Sequence, residues 1–350
     1  MTPPGFRLGQ LDRHALDDRL LAGINRVNNL LRKEVWPEEG PRGVDETRES
    51  IASIPDFVQL HWWAAFERSL LVAHGHVSIF DVASNQHLAE VRIAVDPAYR
   101  RRGLAKALLY RLVDFARRNG RRLLLGYTDS LVTGAEAFAL RIGAEAAQRS
   151  RISRLNLAEI DLELMQAWVE RGAAKATDFE VEFLLGPYPK EAYRDIVAVK
   201  NVMNTAPRDD LDIEDWLMTE AELEQLESSL QQRAVKRWTM LARRRSDGTI
   251  AGFTEVFFDT RHPARIDQGD TAVHPDFRGR GLGRWLKGAM AAKILSELPE
   301  ARVVYTGNAN SNAAMLRINE EMGYRPYQEL ISWQVGVSTV ERYLERAASP

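Results

Sequence analysis

The chain has 350 residues, 45% hydrophobic and 27% charged, which suits a globular protein with room for two domains of about 175 residues each. Its formal net charge of −2 gives no overall attraction to nucleic acid or to anionic membrane. It contains no cysteine, which excludes disulfides, thiolate metal sites and a cysteine nucleophile and fits a reducing compartment.

In chain order, the start Met1–Gly5 leads into charged residues without an apolar core segment. No signal peptide is expected, and the cytoplasm is the default location. Leu16, Leu20, Leu21, Ile24, Val27, Leu30 and Leu31 recur at helical spacing and predict a helix over 11–33. Pro37 to Gly43 breaks that pattern, and a short helix is expected over 44–53. Stretches 57–66, 69–74, 76–82 and 88–95 are rich in β-branched and aromatic residues and predict strands. Leu104, Leu108, Leu112 and Ala116 mark a helix that Asn119-Gly120 ends. A strand over 122–127, a short helix over 134–142 stopped by Gly143, and a strand over 151–157 follow.

Residues 159–171 predict a bridging helix, and the soft segment Gly172–Thr177 suggests a boundary between domains 1–172 and 173–350. Beyond it, helices are expected over 189–203 and 219–233, and strands over 236–243 and 250–258 flank an Asp247-Gly248 turn. A strand over 270–274 precedes a helix marked by Leu282, Leu286, Met290 and Ile294. A strand over 302–307 precedes a helix capped by Ser311 or an adjacent asparagine and ending at Gly323. No apolar run approaches membrane-spanning length.

One pattern occurs twice. Val95-Asp96-Pro97-Ala98-Tyr99-Arg100-Arg101-Arg102-Gly103-Leu104-Ala105 returns 178 residues later as Val273-His274-Pro275-Asp276-Phe277-Arg278-Gly279-Arg280-Gly281-Leu282-Gly283. Each copy puts a glycine-bearing turn between a strand and an amphipathic helix. The first N–H groups of that helix lack intrahelical partners and lie at the positive end of its dipole, a ready place for a diphosphate. A repeat of this length predicts two copies of one domain.

These residues resemble the GCN5-related N-acetyltransferase (GNAT) superfamily. Its Arg/Gln-x-x-Gly-x-Gly/Ala motif is matched by Arg100, Gly103 and Ala105 and by Arg278, Gly281 and Gly283. The tandem arrangement resembles two-domain members such as the mycothiol synthases. The resemblance implies an α/β (α+β) fold with two GNAT-like domains, each a mixed, mainly antiparallel sheet flanked by helices. It implies acetyl-CoA as cofactor, with the pyrophosphate on the loops Arg100, Arg101, Arg102, Gly103, Leu104, Ala105 and Arg278, Gly279, Arg280, Gly281, Leu282, Gly283. It implies that the strands holding Ile93 to Val95 and Ala272-Val273 pair with the pantetheine arm. Asn308, Asn312 and Asn319, in a segment running to Gly323-Tyr324, are further cofactor candidates. Where many members place a tyrosine acid, this chain has Ala139 and Asn319.

The implied reaction is direct attack by a primary amine, of a small molecule or a peptide, on the acetyl thioester. Base candidates are Glu255, Asp270 and His274, with Glu90 their counterpart in the first half. The fuller motifs of the second half mark it as the active half. A non-catalytic acyl-CoA-binding module is the alternative. Nine Arg/Lys across 100–122 suggest either a cofactor-phosphate or nucleic-acid contact, or a solvated helix face; the near-neutral total charge leaves nucleic acid unexpected as a partner. His74-x-His76 lacks a third ligand, so no metal is expected. The repeat suggests a monomer that is an internal pseudo-dimer.

Overall fold

The computed structural model describes residues 2–346. Two compact units emerge. The first takes the chain up to Arg149, Asp209–Glu214 and the residues from Glu329 on; the second takes Ser150–Arg208 and Asp215–Gln328.

In the first unit, β1 (Phe6–Leu11), β2 (Val58–Glu67), β3 (Leu70–Phe80) and β4 (Leu88–Val95) pair antiparallel in that order. β5 (Leu123–Asp129) is parallel to β4, and residues 330–336 of β12 (Arg325–Gly336) pair antiparallel with β5. Alternation along β2 sends Trp62, Ala64 and Phe66 toward α1 (Asp18–Val35) and α2 (Val44–Ala52). The other face packs on α3 (Leu104–Arg118) and α10 (Val337–Arg346), while α4 (Ala135–Arg141) follows β5. The expected strands 69–74 and 76–82 are one strand. Gly75 stands between them because a Cβ there would lie 2.9 Å from the Arg92 carbonyl oxygen.

In the second unit, residues 150–156 of β6 (Glu145–Asn156) pair antiparallel with β11 (Val303–Ala309), which is parallel to β10 (Arg265–Val273). β9 (Ile250–Asp259), β8 (Val235–Arg244) and β7 (Phe179–Leu185) complete an antiparallel run from β10. α5 (Leu162–Lys175) and α8 (Leu282–Glu297) cover one face, α6 (Tyr193–Lys200) and α7 (Glu220–Gln232) the other, and α9 (Ala313–Met322) follows β11.

The strand that follows α4 thus serves the second unit, and the strand that follows α9 serves the first. The 172/173 junction falls inside α5, which packs on α8 within the second unit. Gly172 is buried there because Trp285 crosses over it, 2.5 Å from where a Cβ would sit.

Candidate functional site

Both copies of the repeated turn adopt one geometry. In the first unit, Asp96 caps the turn by accepting from the Ala98 N–H at 2.9 Å and pairs with Arg26 at 2.7 Å. Arg101 at φ +65° and Gly103 at φ +81° then lead into α3. In the second unit, His274 takes the place of Asp96, its Nδ1 accepting from the Asp276 N–H at 3.3 Å. Gly279 at φ +79° and Gly281 at φ +87° lead into α8. Two left-handed residues around one ordinary residue curl the backbone so that the first helical N–H groups face one space.

The arginines of these turns are mostly occupied. Arg100 donates to Glu34 at 2.9 Å, and Arg102 lies over the Tyr99 ring, 3.8 Å from Glu67. Arg278 donates to the Val273 carbonyl at 3.0 Å and to Thr205 at 2.8 Å. Arg280 pairs with Asp178 at 2.8 Å, and Lys175 donates to the Gly279 carbonyl at 2.7 Å. Arg101 is exposed and forms no ion pair among the described residues. The donors left for an anion are therefore chiefly backbone N–H groups, with Arg101 beside the first turn.

Behind each turn the parallel strands splay. β4 and β5 pair only from Leu88↔Leu123 to Glu90↔Leu125, which leaves one edge of residues 91–95 open. That gap widens into a cavity of about 480 Å³. Val91, Ile93 and Val95 line it from β4, Gly103 from the turn, Leu104 to Lys106 from the start of α3, and Ala137 to Ala139 from α4. Leu109, Ala144 and Trp333 form deeper walls. In the second unit β10 and β11 pair only from Arg265↔Val303 to Asp267↔Tyr305, and β10 bulges between Gln268 and Thr271. The Gln268 amide fills the bulge, donating to the Glu255 carbonyl at 2.6 Å and to Thr254 at 3.1 Å.

Residues equivalent by the repeat differ in chemistry. Leu109, Ala139 and Ala144 of the first unit become Lys287, Asn319 and Tyr324 in the second. All three are about 2% exposed. The Lys287 Nζ lies 3.3 Å from the Gln268 Oε1 and 5.7 Å from the centre of the Tyr324 ring. Burial pushes its amine down to about 7. Asn319 donates to Asn308 at 2.7 Å while its own Oδ1 has no partner. Asn312, rather than Ser311, caps α9 by accepting from Met315 at 3.3 Å.

Of the base candidates, Glu255 is 2% exposed. It accepts from Lys200 at 2.9 Å and from the Tyr188 hydroxyl at 3.1 Å. Asp270 lies on the same face with its side chain exposed; enclosure by the surrounding protein first and Glu255 second raise its carboxyl, with Lys200 opposing. Glu255 and Asp270 are thus brought together, whereas His274 serves as a turn cap. Glu90 accepts from Arg92 at 2.8 Å. The basic run is largely a paired helix face, with Arg117 reaching Asp114 at 3.0 Å and Glu341 at 3.2 Å and Arg122 reaching Asp212 at 3.1 Å. His74 lies in the core between Trp62 and Asn28, and burial holds it down at about 3.

The sequence reading missed Lys287, Lys200 and Tyr188. Lys287 was accessible to it, since superposing the repeats sets this lysine against Leu109 in an otherwise apolar position. Lys200 and Tyr188 lie outside the repeated motif and carry no local signal.

Residues 28–144 and 207–324 each match the sequence profile of the Acetyltransferase (GNAT) family. Among solved structures, a tandem GNAT protein from the clavulanic acid biosynthesis pathway superposes with TM-score 0.77 at 22% identity, covering 95% of this chain and 98% of that one. A GCN5-related N-acetyltransferase from Sphaerobacter thermophilus gives 0.64 at 13% identity, covering 96% and 97%. The Saccharomyces cerevisiae N-myristoyltransferase, solved with bound myristoyl-CoA and inhibitors, gives 0.59 at 12%, covering 95% and 80%. No curated protein matches by sequence. No helix among the described residues is long and apolar enough to cross a membrane.

Proposed function

The chain belongs to the acetyltransferase (GNAT) family, and from that premise we propose that it moves an acetyl group from acetyl-CoA to a primary amine of a small molecule or peptide. The observation that carries this reading is the splay of a parallel strand pair directly behind each repeated turn. The residues present suit such a ligand. Curled backbone N–H groups suit its diphosphate, an open strand edge suits the amides of its arm, and the apolar walls of the first-unit cavity suit its aliphatic part.

In this reading the two units divide the work. The first-unit cavity, with Leu109, Ala139 and Ala144 where the second unit has Lys287, Asn319 and Tyr324, holds acyl-CoA without turning it over. The second unit supplies the chemistry. Asp270, its carboxyl raised, takes the proton of the incoming ammonium directly or through water. Glu255 and Lys200 hold the local charge beneath it. Backbone N–H groups on the open edge of β10 near Val273 receive the negative charge that develops on the thioester oxygen. The thioester supplies the activated acyl group, so no covalent enzyme intermediate is needed.

The test is release of free thiol from acetyl-CoA in the presence of a panel of amines: a diamine, an amino sugar and a short peptide. Amine-dependent release should persist in Gly103→Trp and vanish in folded Gly281→Trp. Acyl-CoA binding by wild type without turnover on any amine would leave a binding module in place of an enzyme.

A further inference from the structure

Lys287 is an ionisable side chain placed where the rest of its helix face is apolar. It lies one helical turn past Gly283, at the position whose equivalent, Leu109, lines the first-unit cavity. Its amine reaches Gln268, the first residue of β10 past its pairing with β11. The groups facing it are the neutral Gln268 amide from β10 and the Tyr324 ring from the end of α9. Burial alone accounts for its lowered proton affinity, with no charged neighbour contributing. The Tyr324 hydroxyl is held firmly protonated by its own burial and is a poor source of protons. Asn319, where an ionisable acid would sit, has none to give.

Amine attack on a thioester leaves a thiolate, and an unpaired anion in an enclosed cleft is costly. A proton donor at the leaving sulfur removes that cost. Resting on the acyl-CoA reading above, we propose that Lys287, as the ammonium, donates a proton from Nζ to the departing coenzyme A sulfur in the second unit. The bookkeeping balances. The acceptor nitrogen bonds the acyl carbon as the carbon–sulfur bond breaks. Lys287 Nζ gives one proton to sulfur, the acceptor nitrogen, which lost its first proton through Asp270 before attack, yields its second to water, and solvent returns one proton to Lys287.

The experiment uses the full chain carrying Gly103→Trp, so that only the second unit is loaded, with coenzyme A itself as the probe. The ultraviolet absorbance of the bound thiolate is followed against pH in this background and with Lys287→Met or Lys287→Arg added. The ammonium should make the bound thiol at least about tenfold more acidic than in the Lys287→Met form, with Lys287→Arg restoring most of that effect. On an amine that is acetylated, Lys287→Met should lower kcat at least about 100-fold and leave KM for acetyl-CoA within about threefold. Equal thiol acidity with and without Lys287 overturns the proposal and leaves acyl-CoA binding intact. Failure of coenzyme A to bind this background overturns the acyl-CoA reading of the second unit and the proposal with it.

Discussion

Replacing Lys287 by methionine should stabilise the protein, by an amount that shrinks as pH rises. The amine is 2% exposed and its proton affinity falls from 10.5 to about 7 on folding. The unfolded chain therefore binds the extra proton between those values, and wild-type stability climbs with pH across that window. At about pH 7 the buried amine costs about 4 kcal/mol by linkage, and at about pH 9.5 about 1 kcal/mol. Methionine has similar length and no charge, but it leaves the Gln268 oxygen without its donor, a loss of about 1 kcal/mol. The net gain should be about 3 kcal/mol at about pH 7 and close to zero at about pH 9.5. Urea unfolding of both proteins at the two pH values measures it. A difference that does not change with pH, or a loss at about pH 7, refutes the placement of a strained amine in this cleft.

Filling the first-unit cavity with Ala139→Trp should weaken acetyl-CoA binding there at least about tenfold, read by calorimetry, with cooperative unfolding retained. The Arg237–Glu227 pair is buried, with side chains 4% and 5% exposed and Arg237 also stacked on Tyr188. Glu227→Gln should cost about 3–5 kcal/mol in denaturant unfolding, and a cost near zero would contradict its burial. His74 and His76 are held down at about 3 and about 4 by burial. Neutral in the fold and charged when unfolded, they should drain stability as pH falls from about 6.5 toward 4, and His76→Leu should lose less over that range. Gly281→Ala meets no atom within 4 Å yet must hold φ +87°, so it should cost about 1 kcal/mol in thermal unfolding from backbone strain alone.

The repeated turn was legible because its conformation demands unusual residues. Gly103 and Gly281 sit at left-handed φ, and the apolar stripe from Leu282 to Ile294 follows at helical spacing. Arg101 shows the limit of that logic: it holds φ +65° where the second copy uses glycine. Strand exchange was hidden because nothing local to β12 says which sheet it joins; Trp333 donating to Thr128 at 2.7 Å is a partnership between residues about two hundred positions apart. The Gly172 segment misled as a linker, since the same composition serves where two helices touch and only a glycine fits under Trp285. Glu255 stands out in the sequence by its place on β9, but its partner Lys200 comes from a helix with no motif. Asp270 lies beside that pair at an exposed position, with its carboxyl raised.

Calorimetric titration of acetyl-CoA into wild type, Gly103→Trp and Gly281→Trp tests the central claim most directly. The account predicts that wild type binds at both turns and that each variant loses one site and keeps the other. No binding by folded wild type would contradict it and leave the repeated turn as an ordinary strand-to-helix connection.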